Sequence, residues 1–361
     1  MSTQTDIVKR RQILITIAVV LAMGLVLFFH RFGGDRLPPP ELVRRFAVFG
    51  TVGEIKLWQT PMLTAASEAA EEVIDYFEKL HHTINVFDPE SELSQLNQTA
   101  YEQPVECSDM LWDILIAAKQ AHQQTDGLFD VTIGSLMQLW GFYQERHEWP
   151  SEQEVQQALE PVGMEQITFY PEDQAVSFGH PDTRIDLGGI AKGYALDQAV
   201  EILRRHGITT GIVNLGGDLV CLEAPHNTPG YKIGIRDPQQ PGQHLDEIIV
   251  QQAGVATSGD YLRFREIEGR TVGHIVNPKT GITQTRVLSV TVIAPTALEA
   301  EIQATAIVVG GLPKAEEWVR QAPDRQVIIA YRDQDDIIQI EYLPENHPPD
   351  LVRLIHQPNS P

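Results

Sequence analysis

The chain has 361 residues, enough for one large domain or two smaller ones with a sizeable core. It carries 27 Lys and Arg against 49 Asp and Glu, a formal charge of −22. A surface that acidic argues against nucleic acid and against an anionic lipid surface as partners, while it tolerates divalent cations.

The first residues differ from the rest. Lys9, Arg10 and Arg11 precede an uncharged apolar run, Ile13 to Phe29. A run of about 17 such residues is at the short end for a spanning helix and longer than most signal-peptide cores. His30, Arg31 and Phe32 follow it, with no small-x-small cleavage site. The expectation is an uncleaved transmembrane signal anchor over residues 13–30. The basic cluster places residues 1–12 in the cytoplasm and the remainder outside it. Pro38-Pro39-Pro40 makes residues 31–42 a stiff spacer. Residues 1–36 hold five Lys and Arg and two Asp and Glu, which leaves 22 basic and 47 acidic residues, a formal −25, beyond them. An anionic ligand entering there needs local cations or a metal. Cys107 and Cys221 are compatible with one disulfide or with two buried thiols, and no Cys/His zinc pattern is present.

Loose alternation over residues 42–57 predicts strand, broken at Phe49-Gly-Thr-Val-Gly53. Residues 65–84 have helical spacing, and residues 85–97 read as a loop with a short helix. Ser108 caps a helix over 110–125, stopped by Asp126-Gly127. Ser151 and Glu154 form a capping box. Short strands are expected at 167–170 and 175–178. A β-prone lead-in, Thr183 to Ile185, then runs into Asp186-Leu-Gly-Gly-Ile-Ala-Lys-Gly-Tyr194. A helix follows with Ala195, Ala199, Ile202 and Leu203 on one face. Further strands are expected at 211–215, 231–235, 247–251, 254–258, 261–267, 271–276, 288–293, 326–331 and 337–342. A helix is expected over 297–309, ended by Gly310-Gly311, and a polar tail over 346–361. Hairpins dominate and strand–helix–strand units are sparse, so the class is α+β, with a single domain over 43–345.

Several stretches place small or polar residues where a core pattern does not need them. The glycines after Asp186 permit close backbone approach, and the helix start behind them offers unpaired N–H groups to a phosphate, with Lys192 adding a full charge. The alternative is a tight turn that only permits packing. Asn214-Leu-Gly-Gly-Asp218 reads either as a hairpin turn or as part of a site, and His274 as a satisfied strand residue or a functional one. Glu301 and Thr305, four apart on one helix face, are hard oxygen donors suited to Mg2+.

In this order, Asp186-Leu-Gly-Gly-Ile-Ala-Lys-Gly-Tyr194, Asn214-Leu-Gly-Gly-Asp218, Thr257-Ser-Gly-Asp-Tyr261 and His274-Ile-Val-Asn-Pro-Lys-Thr-Gly281 resemble the FAD:protein FMN transferases, the ApbE-like flavin transferases. The resemblance runs from about Phe49 to Gly310. It implies a two-lobed α+β ectodomain of the ApbE, T-fold-like type behind the anchor, in a bacterial inner membrane with the catalytic domain periplasmic or otherwise extracytoplasmic. It implies transfer of FMN from FAD to a Thr or Ser hydroxyl of a target flavoprotein subunit of a membrane electron-transfer complex, with Mg2+ required and AMP released. The alternatives are an FAD-binding protein without transfer, and an FAD pyrophosphatase giving FMN and AMP. By the same resemblance the metal ligands fall on the Ala191 carbonyl, Glu301, the Ala304 position and Thr305. FAD contacts fall on Phe49, Phe87, Leu128, Phe129, Asp130, Gly188, Lys192, Tyr194 and Ile275. His274 takes the proton from the acceptor hydroxyl, with phosphate binding as its alternative role. Two residues depart from the family's pattern: Glu301 stands where Asp is usual, and Phe49 where Met is usual.

Overall fold

The computed structural model describes residues 37–344, apart from 241, 260–263 and 322–323, together with the backbone of Val352–Leu354. The expected anchor at 13–30, and Asp260 and Tyr261 of one motif, lie outside the described residues. Among the described residues no helix is long and apolar enough to cross a membrane.

The expected broken strand at 42–57 is a hairpin. β1 (Leu42–Val48) and β2 (Thr51–Leu57) are joined by Phe49 and Gly50, both at positive φ, 52° and 68°. Two consecutive left-handed residues reverse the chain rather than interrupt it. Three of the helices that follow, those after Ser91, Ser108 and Ser151, begin where a serine side chain takes up an early amide. α1 is Leu63–Ile84. α2 (Glu92–Thr99) is capped by Ser91, and α3 (Asp109–Gln124), after the short β3 (Val105–Glu106), by Ser108. α4 is Gly134–Leu139, and α5 (Glu152–Leu159) starts on the Ser151–Glu154 capping box. β4 (Ile167–Tyr170) and β5 (Ala175–Phe178) form a small sheet with β3. The lead-in to the glycine motif is not a strand; Arg184 makes one isolated bridge to Ile133. α6 (Ala191–Arg205) follows the motif.

The second half supplies most of the sheet: β6 (Gly211–Leu215), β7 (Asp218–Cys221), β8 (Tyr231–Arg236), β9 (His244–Val250) and β10 (Ala253–Ser258). β11 (Phe264–Ile267) and β12 (Arg270–Gly273) pair across the Glu268-Gly269 turn. β13 (Val287–Ala294), α7 (Ala297–Gln321), β14 (Gln326–Arg332), β15 (Ile338–Leu343) and β16 (Val352–Leu354) complete the chain. β16 lies inside the stretch expected to be a polar tail and pairs with β9. α7 leaves helical geometry at Gly311 (φ 68°, ψ −163°), which fits the expected stop, but a second helical stretch continues to Gln321.

One antiparallel sheet runs β1-β2-β6-β7-β10-β13-β14-β15. Its period-2 alternation sorts the core onto two faces. Ala256, Val290, Val292, Val327 and Ile329 pack with α7. Val255, Ile293 and Ile328 point the other way, against Tyr231, Ile235, Ile248 and Val250 of the β8–β9 hairpin. A separate cluster joins α1, α2, α3 and α6, and Leu128 packs against both it and the α7 cluster. Both cysteines are buried thiols in different clusters, so of the two alternatives the structure takes the second.

Candidate active site

The loop ahead of α6 is held by one carboxylate. Asp186 donates its amide to Val131 O (2.7 Å), accepts the Gly188 amide on Oδ1 (2.7 Å) and accepts the Tyr143 hydroxyl on Oδ2 (2.6 Å). Burial, then the charge of Asp186, push the Tyr143 phenol far above its usual range, so it remains a donor. Phe87, 69% exposed, stands edge-on to the Tyr143 ring at 5.7 Å. Phe129 is buried against Gly189, where an added Cβ would lie 3.3 Å from its ring. Gly188 is exposed. The loop thus presents backbone beside the half-buried Tyr143, whose ring meets exposed Phe87, and against the buried ring of Phe129.

No side chain at Ile190 caps α6; the cap comes from another helix. Glu301 Oε2 accepts the Gly193 amide at 2.7 Å, and Asp197 of α6 accepts the Ala297 and Leu298 amides at 2.8 and 3.1 Å. Each helix therefore satisfies orphan donors at the start of the other. They can do so because residue 193 has no side chain: a Cβ there would sit 2.6 Å from Ala297 O. Burial raises the Asp197 carboxyl to about 6, against the lowering effect of the two amides.

Lys192 points its ammonium between two buried carboxylates, meeting Glu301 Oε1 at 2.8 Å and Asp218 Oδ2 in a close ion pair. Asp218 is aimed by the turn before it, where Asn214 Oδ1 accepts the Gly217 amide at 3.1 Å, and it is fixed by the Thr257 amide on Oδ1 at 2.9 Å. Thr257 is paired with Thr291 across β10 and β13 (Oγ1 to Oγ1, 2.9 Å). The next residue faces the other way, so Ser258 Oγ lies 3.3 Å from Thr305 Oγ1. Asn214-Leu-Gly-Gly-Asp218 is therefore both the hairpin turn and part of the site.

These residues fit a hard divalent cation. Glu301, Asp218, Thr305 and the backbone beside Lys192 offer oxygen only, and two carboxylates sharing one ammonium leave a formal surplus of one negative charge. Among the described residues no three His, Cys, Asp or Glu form a cage. That suits Mg2+, which takes one or two carboxylates and completes its shell with water and substrate phosphates.

His274 follows β12 and is half-buried. Its neighbour Ile275 packs in the cluster that holds Ala256, Ala304 and Val308, which sets this segment against α7. The Asn277–Gly281 turn is pinned by Gly281 N to Asn277 O (2.8 Å) and by Trp140 Nε1 to Gly281 O (2.7 Å). Phe49 packs edge-on to His81 at 5.5 Å and beside Phe77. Two expected contacts are buried within the protein. Asp130 accepts the Thr132 amide and hydroxyl on Oδ1 (2.7 and 2.6 Å) and has Oδ2 2.9 Å from His122 Nδ1. Tyr194 is buried, and burial raises its phenol above the usual range. Sequence reading passed over Asp218 and Tyr143 as individual residues. The first was visible as the end of its motif. The second had no local signal, since its partner Asp186 lies 43 residues on.

The fold and site define an antiparallel α+β protein with a glycine loop, a lysine and two buried carboxylates at one helix start. Residues 49–329 match the ApbE family. The chain is 31% identical over 277 residues to the FAD:protein FMN transferase of Haemophilus influenzae, covering 74% of this chain and 80% of that protein. It is 27% identical over 314 residues to the FAD:protein FMN transferase of Escherichia coli K12, covering 84% and 89%. The crystal structure of the ApbE protein of Thermotoga maritima is similar with a TM-score of 0.75 at 29% identity, over 83% of this chain and 96% of that one. The flavin transferase ApbE of Vibrio cholerae gives 0.73 at 26% identity, over 84% and 97%. The chain belongs to the ApbE family.

Proposed function

We propose that this protein is an Mg2+-dependent FAD:protein FMN transferase, moving FMN from FAD to a Thr or Ser hydroxyl of a target flavoprotein and releasing AMP. The observation that carries the reading is the Lys192–Asp218–Glu301 cluster, set at the end of the glycine loop and against the helix that bears Thr305. Lys192 and the backbone around Gly188 bind the diphosphate. Phe49, Phe87, Leu128, Phe129, Asp130, Tyr194 and Ile275 shape the FAD site, Asp130 through the neighbours it holds. Mg2+ held by Glu301, Thr305, the Ala191 carbonyl and the Ala304 position would supply positive charge where the phosphoryl oxygens become more negative.

A threonine hydroxyl is a weak nucleophile, and imidazole is a base near neutral pH. The acceptor oxygen forms a bond to the FMN-side phosphorus, the bridging P–O bond breaks towards AMP, and the hydroxyl proton passes to His274. Residues 13–30 anchor the protein in a bacterial inner membrane with the catalytic domain outside the cytoplasm. There the acceptor is a flavoprotein subunit of a membrane electron-transfer complex.

The test is to incubate the protein with FAD and Mg2+, with and without a Thr-bearing acceptor peptide. FMN covalently on the peptide, with AMP released, supports transfer. Free FMN plus AMP in both tubes makes it a hydrolase, and FAD recovered intact makes it a binding protein. His274→Ala is expected to cut transfer at least about 100-fold while FAD still binds; undiminished transfer would remove histidine from the mechanism.

A further inference from the structure

Lys192 is placed differently from a lysine that only awaits a phosphate. Its ammonium is already shared by Glu301 Oε1, at 2.8 Å, and Asp218 Oδ2. Those two side chains are 4% and 7% exposed, whereas that of Lys192 is 26% exposed, so the lysine is the member of the cluster that solvent reaches. Each carboxylate spends its other oxygen on a backbone amide, Gly193 N on Glu301 Oε2 and Thr257 N on Asp218 Oδ1. The acids are therefore buried and fixed, while the cation sits at the end of a flexible four-carbon stem. Two carboxylates buried together without a cation are strongly disfavoured. Something positive has to stand there when no metal does.

We infer that Lys192 is a stand-in cation: it offsets one of the two negative charges of Glu301 and Asp218 until a divalent metal binds, then leaves Glu301 and turns its ammonium to the dinucleotide's diphosphate. The inference rests on the reading of Glu301 as a metal ligand. It adds an order of events, because the lysine reaches the diphosphate only after the metal has taken its place on Glu301. It also makes Lys192 a competitor of the metal as well as a ligand of the substrate.

The experiment uses the full chain without FAD and has two readouts. Lys192 acylation by acetic anhydride is followed by mass spectrometry in the wild type with and without Mg2+. Mg2+ affinity is measured by calorimetry in wild type and Lys192→Met. The expected result is several-fold faster acylation of Lys192 when Mg2+ is present. Lys192→Met is expected to bind Mg2+ about tenfold tighter, since a like charge next to the metal has been removed. The wild-type labelling does not depend on the variant folding. Mg2+ binding that leaves Lys192 labelling unchanged or slower overturns the inference alone. So does a Lys192→Met protein that binds Mg2+ no tighter than wild type. If neither protein binds Mg2+, the metal reading of Glu301 falls and the inference falls with it.

Discussion

Glu301 uses the methylene by which it exceeds an aspartate. From buried α7 it reaches the Gly193 amide with one oxygen and Lys192 with the other. An aspartate there would stop about 1.5 Å short, one C–C bond. Glu301→Asp is therefore expected to free the Gly193 amide and to cost about 1–2 kcal/mol in urea unfolding. Hydrogen exchange at Gly193 would quicken with it; unchanged exchange would show that α7 moves in to compensate. His122 offers a second residue-scale test. Its contact with Asp130 raises its pKa above the ordinary histidine value, against the opposing effect of burial. A raised histidine pKa stabilises the fold below about pH 6.5, and the stabilisation is lost as pH rises through the folded value. In Asp130→Asn, NMR titration should find the His122 pKa lower than in wild type.

At the scale of elements, α6 and α7 form one unit because each caps the other. The close approach at Gly193 makes that possible, and Gly193→Ala is expected to push the helices apart. Overpacking of this kind costs about 1–3 kcal/mol, and here it also pulls the Gly193 amide from Glu301; a thermal melt equal to wild type would mean that the approach is looser than the structure shows. Asp197, at the other end of the reciprocal cap, has a distinct pH signature. Its folded pKa of about 6 lies above the unfolded value, because burial disfavours the charge more than two amides favour it. The folded state then holds a proton that the unfolded state has lost. Stability from this group falls as pH rises from about 4 to about 6, by roughly 3 kcal/mol, and is flat above. The difference between wild-type and Asp197→Asn stability curves should show that slope and no other in this range.

For the whole molecule, the antiparallel sheet carries helices α6 and α7 on one face and the β8–β9 hairpin on the other, and the charged cluster lies where α6, α7, β7 and β10 meet. The anchor expected over residues 13–30 gives the prediction at this scale. The protein should sediment with membranes and resist alkaline carbonate, and a chain lacking residues 1–36 should appear in the soluble fraction. Release of the intact chain by carbonate would remove the anchor.

Much of this was readable in the chain itself. Ser108 and Ser151 start helices because a capping hydroxyl sits three residues from the amide it accepts, and such neighbours meet whatever the rest does. The order of the four motifs likewise pointed to the family that the comparisons then showed. What the sequence could not determine was pairing at a distance. β7 escaped notice because its four residues are all buried, without alternation, and a turn was the nearer reading. Asp218 meets Lys192 across 26 residues and Gly193 meets Glu301 across 108. Those meetings depend on sheet register and on how closely two helices approach. No local preference of either residue specifies them, so only the folded chain decided which carboxylates share the lysine.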